Sequence, residues 1–466
     1  MKNNSLRHFP YFLLAVTPFI FLSLLTYFTN PLPWPDEAIY LDTAKTLLTQ
    51  GVLKTNIFGN VIPGLNEHAL WYPPLYFYLL TGWIKIFGTS IETIRTLSLL
   101  TGSGMLLFVY YTMQLIFKKP ILSSVGTALI AVDFSFNRAA HVARMDMLSL
   151  LLLTAGIYTV IAGYTKQQKI WFVATGILGG LSILNHPLGF ILPTVACIFL
   201  LLQKKIHALV LVCIPIAISL LIWTTLVWGK LDLFFIQYNL QFARKSLQEP
   251  FLFHLFKTDT NWRMWGIATA GIYILGLIQL LTAPAPILSF FILGIFVSTT
   301  ASLWGKEMWY TAYFQPFLAY IIVYLLTKKG VKNITTILAL SLGSISLLLS
   351  FQSLNTQGDY HTFVKQIAKH IPTESRVFLS IIPDPYFDLQ NRSDIIMFEF
   401  ATVPSKKQTY KDLLDTVDYI ILNRMPELGA DRIKEYLRRN TLDSTHVQNK
   451  DFIALIIQLV PREKRR

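Results

Sequence analysis

Two adjacent carboxylates, Asp36 and Glu37, follow a proline-studded stretch, Asn30–Pro35, and open the run AIYLDTAKTLLTQ. Pro31, Pro33 and Pro35 cannot continue a preceding helix, so an apolar segment must stop before them. The spacing of Ala38, Ile39, Leu41, Ala44, Leu47 and Leu48 predicts an amphipathic helix on a membrane surface. Asp36 then stands at its N-cap, with Glu37 beside it at the positive end of the helix. The plain reading is a cap and a dipole complement; the chemical one is a general base.

Other groups could do chemistry. Asp146 lies in FNRAAHVARMDML with Arg138, His141 and Arg144, where it could cap a helix, pair with Arg144, or face a cavity. Glu67-His68, ahead of Trp71, could supply two metal ligands or be plain loop polars. Asn185-His186-Pro187 reads as a helix-terminating turn with an exposed histidine. Lys306, next to Glu307 and ahead of Trp309, Tyr310 and Tyr313, could hold a phosphate or offset Glu307.

The elements that must position these residues are membrane helices. The 466-residue chain is 53% hydrophobic and only 14% charged, with mean hydropathy +0.49. A soluble protein carries about 25% charged residues. Long uncharged runs recur through residue 352 and then stop, which predicts a polytopic α-helical membrane protein with an external tail. Continuous rather than alternating runs argue against a β-barrel. The net charge of +14 comes from Lys and Arg at the ends of apolar runs, so it marks sidedness and not nucleic-acid binding. Cys197 and Cys213 both lie in apolar segments and form no metal motif.

Lys2 and Arg7 hold the N-terminus in the cytoplasm ahead of a retained signal anchor at 9–28. The segment after Pro73-Pro74, residues 74–87, is short and reads as an interfacial helix. With it lying flat, Lys118-Lys119, Lys166 and Lys169, Lys204-Lys205, and Lys328, Lys329 and Lys332 all face the cytoplasm. The spans are then 9–28, 92–116, 120–136, 146–164, 170–184, 187–202, 206–228, 266–282, 286–303, 310–327 and 333–352. That is about eleven, in a membrane domain of residues 1–352. In the tail, 353–466, strand-length runs at 377–382, 395–400, 417–422 and 452–460 alternate with helical patterns at 360–370 and 430–439. A small external α/β domain fits this alternation. The acids Asp36, Glu37, Glu67 and Asp146 all fall on the external side.

External carboxylates, nearby cations and an apolar platform suit a lipid-linked phosphosugar donor. A carboxylate can deprotonate an acceptor hydroxyl, while Arg, Lys or a divalent cation stabilises the departing phosphate. At this point the chain resembles the GT-C membrane glycosyltransferases, and is similar to protein O-mannosyltransferases and lipid A aminoarabinose transferases. The matching residues are Asp36-Glu37, Tyr72-Pro73-Pro74-Leu75-Tyr76, Arg95-Thr96-Leu97-Ser98, Ala143-Arg144-Met145-Asp146, His186-Pro187, and Tyr310-x-x-Tyr313-x-x-Pro316. The resemblance implies a catalytic Asp36, as base or metal contact, with Glu37 and Asp146 in the site. It also implies donor-phosphate binding by Arg144, Arg138, Lys306 and Tyr310. Glu67, with His68 beside it, falls where the aminoarabinose transferases bind a metal. Two positions depart from the aminoarabinose transferases, Tyr72 where they carry lysine and His186-Pro187 where they tend to carry Lys-Gly; Tyr72 and His186 are further site candidates.

The expected activity is inverting transfer of a sugar from a polyprenyl-phosphate donor to an acceptor protein, lipid or glycan. It takes place on the extracytoplasmic face of the plasma membrane, with a divalent cation as the candidate cofactor. A flippase for lipid-linked sugars is the rival reading, but transporters usually pair inverted halves with ionisable groups near mid-membrane. A non-catalytic assembly protein on the same scaffold is the third.

Overall fold

The computed structural model describes residues 4–26, 31–59, 61–246, 260–305, 308–354, 358–400, 407–423 and 430–465. Helix α1 (Asn4–Thr26) is followed by α2 (Pro35–Gln50) and α3 (Leu75–Phe87) in the first loop. Next come α4 (Ile91–Phe117), α5 (Pro120–Ala131), α6 (Phe134–Ala140), α7 (Met145–Lys166), α8 (Lys169–Asn185), α9 (Ile191–Leu202), α10 (Ile206–Val227) and α11 (Leu231–Ser246). The membrane part closes with α12 (Thr260–Thr282), α13 (Pro286–Gly305), α14 (Gln315–Leu326) and α15 (Lys332–Leu354). Among the described residues, 7 helices are long and apolar enough to cross a membrane, or 8 if the bent α5–α6 pair is one span. Four shorter apolar helices accompany them: Leu75–Phe87, Lys169–Asn185, Pro187–Leu202 and Gln315–Leu326. At 13 residues, α3 is about 20 Å long, short of a hydrocarbon core of about 30 Å.

Two expected spans are reshaped. The continuous helix expected over 120–136 breaks at Val132-Asp133 and bends by 67°. Asp133 favours a cap over a helix interior, and its carboxylate accepts the Phe136 N–H at 3.1 Å. Ser350 donates to the Val132 carbonyl and Asn137 to that of Ala131, so the break leaves these carbonyls paired. The helix expected over 310–327 begins instead with a 3-10 turn, Met308–Tyr313, and α14 starts one residue ahead of Pro316.

The tail carries a five-stranded sheet in the order β2-β1-β3-β5-β4. Its strands are β1 (Arg376–Ser380), β2 (Ile396–Glu399), β3 (Tyr419–Leu422), β4 (Thr441–Gln448) and β5 (Ile453–Leu459). β1 runs parallel to β2 and β3, while β5 runs antiparallel to β3 and β4. Alternation along β1 sends Val377 and Leu379 to one face, against Phe363, Val364 and Ile367 of the helix Tyr360–Lys369. Phe378 faces the other way and joins Phe398, Ile420 and Ile457 in a core shared with Ile57, Phe58 and Leu41 of the first loop. The tail is thus docked on the first loop. The Asp384 N–H donates to the Pro33 carbonyl at 3.0 Å, the Glu399 N–H to that of Ile57 at 2.6 Å, and the Tyr386 hydroxyl reaches Asp42 at 3.3 Å. This cover explains why α2 buries Ala38, Ile39, Tyr40, Leu41, Thr43 and Ala44 rather than a single stripe.

Candidate functional site

The site grows from the start of α2. Pro35 at the first helical position forces Trp34 into an extended conformation, φ −117° and ψ 142°, and makes Trp34 the N-cap. Asp36 was expected at that cap; it lies inside the first turn instead. Glu37, three residues past the cap, turns back to accept the Trp34 N–H at 3.1 Å. Successive helical residues diverge by about 100°, so Asp36 and Glu37 leave the helix in different directions.

Glu37 points inward and is fully buried. Arg95 of α4 grips it twice, Nε to Oε1 at 2.8 Å and Nη2 to Oε2 at 2.7 Å, and spends Nη1 on the Pro31 carbonyl at 2.6 Å. The Ala143 N–H completes the set at 2.8 Å. With four donors on it, this carboxylate ties the first loop to the loop before α7 and has no oxygen turned to the cleft.

Asp36 turns instead to Arg144. Its Oδ2 accepts from Arg144 Nη1 at 2.5 Å, and its side chain keeps 25% of its exposure. Arg144, extended at the N-cap of α7, also donates Nε to Asp146 Oδ2 at 3.0 Å. One guanidinium therefore joins an acid two residues along the chain to one 108 residues before it. Burial works against its charge, but Asp36 and Asp146 hold it protonated and push its pKa above the ordinary arginine value.

Asp146 is buried, and its Oδ1 lies 3.5 Å from His186 Nε2. His186 was expected to be exposed; it is 4% exposed because Tyr313 stacks on it and Tyr310 meets it edge-on, each with ring centres 5.8 Å away. The Leu188 N–H donates to its Nδ1 at 2.9 Å.

A cleft at this cluster is lined by Pro31, Leu32, Trp34, Arg138, Ala139, Val142, Arg144, Asp146 and Trp309. Arg138 lies 5.9 Å from the Trp34 ring centre and 5.6 Å from that of Trp309, which also faces Arg144 at 5.1 Å. Indole faces favour a guanidinium at this range. Sequence reasoning missed Trp34, Trp309 and Arg95 as parts of this construction. The cation-rich loop and the tryptophans were visible, but not that they meet.

Tyr72 sits one layer back, its ring 5.8 Å from that of Tyr40. Burial pushes the Tyr40 hydroxyl well above the usual tyrosine pKa, as does Tyr72 beside it. Glu67 and His68 are not among the cleft residues. His68 Nδ1 lies 3.4 Å from Lys230 Nζ, and burial together with that cation depresses its pKa. A cation so placed opposes a metal on His68, and no group of three His, Cys, Asp or Glu suited to a metal occurs among the described residues. Lys306 lies outside the described residues.

Comparison with known proteins bears on this geometry. Residues 72–228 match the family described as dolichyl-phosphate-mannose-protein mannosyltransferase. An uncharacterized protein of Aquifex aeolicus (strain VF5) is 26% identical over 201 residues, 41% of this chain and 38% of that relative. This chain therefore spans well under half the length of that relative. Among solved structures, ArnT from Cupriavidus metallidurans superposes with a TM-score of 0.61 at 13% identity, covering 94% of this chain and 97% of that one. The same protein bound to undecaprenyl phosphate gives 0.60, at 13% identity, over 95% and 98%. The Archaeoglobus fulgidus oligosaccharyltransferase gives 0.63 at 13% identity, over 89% of this chain and 69% of that one. The chain has the fold of the GT-C membrane glycosyltransferases.

Proposed function

We propose that this protein transfers a sugar from a polyprenyl-phosphate donor to a hydroxyl-bearing acceptor on the extracytoplasmic face of the plasma membrane, its N-terminus lying in the cytoplasm. The observation that carries the reading is the Asp36–Arg144–Asp146 cluster, of which Arg144 and Asp146 line a cleft together with Arg138, Trp34 and Trp309. The fold supports it, as does the undecaprenyl phosphate held by the ArnT neighbour. Carboxylates serve as bases toward hydroxyls, and guanidinium groups match phosphate oxygens.

In the reaction, Asp36 accepts the proton of the acceptor hydroxyl as that oxygen bonds to the anomeric carbon of the sugar. The bond from this carbon to the phosphate oxygen breaks, and its electron pair leaves on the phosphate. Arg138, braced between Trp34 and Trp309, meets the charge that develops there. Attack opposite the leaving group inverts the anomeric centre. Asp146 positions the donor through Arg144, and Glu37 with Arg95 holds the wall from which Asp36 projects. The sugar is a hexose or pentose, and the acceptor a protein, a lipid or a glycan. Membranes supplied with radiolabelled polyprenyl-phosphate sugars test this reading. Transfer is expected in wild type and lost in Asp36→Asn at equal protein level. Wild-type membranes that transfer no sugar, yet move labelled lipid across the bilayer, would replace the transferase by a flippase.

A further inference from the structure

Two carboxylates converging from separate segments, as Asp36 and Asp146 do here, are donors of the kind a divalent cation takes. Here the place between them is taken. Arg144 puts Nη1 on Asp36 Oδ2 at 2.5 Å and Nε on Asp146 Oδ2 at 3.0 Å, and its side chain is only 11% exposed. A divalent ion bound to these oxygens would lie within a few Å of a buried guanidinium of like charge, which a low-dielectric setting makes costly.

His186, the third group within reach, is wired against metal as well. A backbone N–H can only donate, so the Leu188 N–H at 2.9 Å fixes Nδ1 of His186 as the acceptor. The neutral ring then carries its proton on Nε2, the atom 3.5 Å from Asp146 Oδ1. That nitrogen presents a hydrogen rather than a lone pair, although it stops short of a hydrogen bond to Asp146 Oδ1, which has no hydrogen-bond partner.

We propose that the Arg144 guanidinium is the built-in cation of this site, standing between Asp36 and Asp146 where a divalent ion would bind, so that sugar transfer here needs no divalent metal. This rests on the transferase reading above.

The test uses the full-length protein, purified in detergent and stripped of metal. Transfer should persist within about twofold in excess chelator, and Mn2+ followed by electron paramagnetic resonance should show no bound ion that Asp36→Asn or Asp146→Asn removes. A rate that falls more than about tenfold in chelator and returns with Mg2+ or Mn2+ would overturn the proposal, as would one Mn2+ per chain lost in Asp146→Asn. Folded Arg144→Gln should lose transfer and gain Mn2+ binding at the freed carboxylates; a folded variant that binds none overturns the claim that arginine holds the ion's place. If Arg144→Gln does not fold, the wild-type measurements decide. A wild type that transfers nothing removes the transferase reading, while the Mn2+ measurement still judges the cation.

Discussion

Arg95 and Glu37 form a two-pronged ion pair in which the arginine side chain is 6% exposed and the glutamate 0%. The same carboxylate receives the Trp34 and Ala143 N–H groups, and the same guanidinium holds the Pro31 carbonyl. The pair therefore joins both walls of the cleft to α4. Removing one partner leaves the other charge buried and alone, so Arg95→Ala should cost about 3–5 kcal/mol of stability. Thermal unfolding of purified protein checks this, and a loss within about 0.5 kcal/mol, the range of a plain surface substitution, would deny the pair its structural role.

Asp36 differs because its carboxylate is partly exposed and its partner Arg144 keeps Asp146 as a second acid when Asp36 is neutralised. Asp36→Asn should therefore leave the unfolding midpoint nearly unchanged. As general base it should cost about 10²–10⁴ in kcat, with a far smaller change in donor affinity. Steady-state kinetics at varied donor separate the two effects. A loss confined to KM would make Asp36 a binding group.

Much of this architecture is legible in the sequence because each signal is local. The tail strand expected over 377–382 is Arg376–Ser380, and the helix expected over 360–370 is Tyr360–Lys369. Strand Thr441–Gln448 escaped because it is a sheet edge with mostly exposed, polar residues and no apolar run. The site was legible as residue types and not as partners. Arg95 meets Glu37 across 58 positions and Arg144 meets Asp36 across 108, and no spacing rule reaches so far. The exposure expected of His186 failed for the same reason, since its cover comes from Tyr310 and Tyr313.

Arg138 faces two indoles on the cleft wall, an arrangement that fixes a flat guanidinium better than a flexible ammonium. A hydrogen bond to a charged group contributes about 1.5–3 kcal/mol. Arg138→Ala should therefore weaken polyprenyl-phosphate binding about tenfold to a hundredfold. Arg138→Lys should restore only part of that, and Trp309→Ala should weaken binding less than Arg138→Ala does. Titration calorimetry with the lipid phosphate decides. Equal affinity in wild type and Arg138→Ala would move the phosphate elsewhere.

Asp384 ties the tail to the first loop through its backbone bond to Pro33, and its carboxyl is fully buried beside that of Glu399. Burial pushes the Asp384 pKa up to about 7, and burial with Asp384 beside it raises Glu399 well above the usual range. A carboxyl raised in this way keeps its proton in the fold where the unfolded chain has already lost it. Stability is then full at pH below about 4, falls by about 1.4 kcal/mol per unit as pH rises, and levels off for Asp384 near pH 7. Asp384→Asn keeps an oxygen for the Tyr386 N–H, which Asp384 Oδ1 accepts at 2.9 Å, and removes one ionisation. Its unfolding midpoint should match wild type near pH 4.5, exceed it at pH 8, and decline less steeply between them. Parallel curves would show that the Asp384 proton plays no part in docking the tail beneath Pro33.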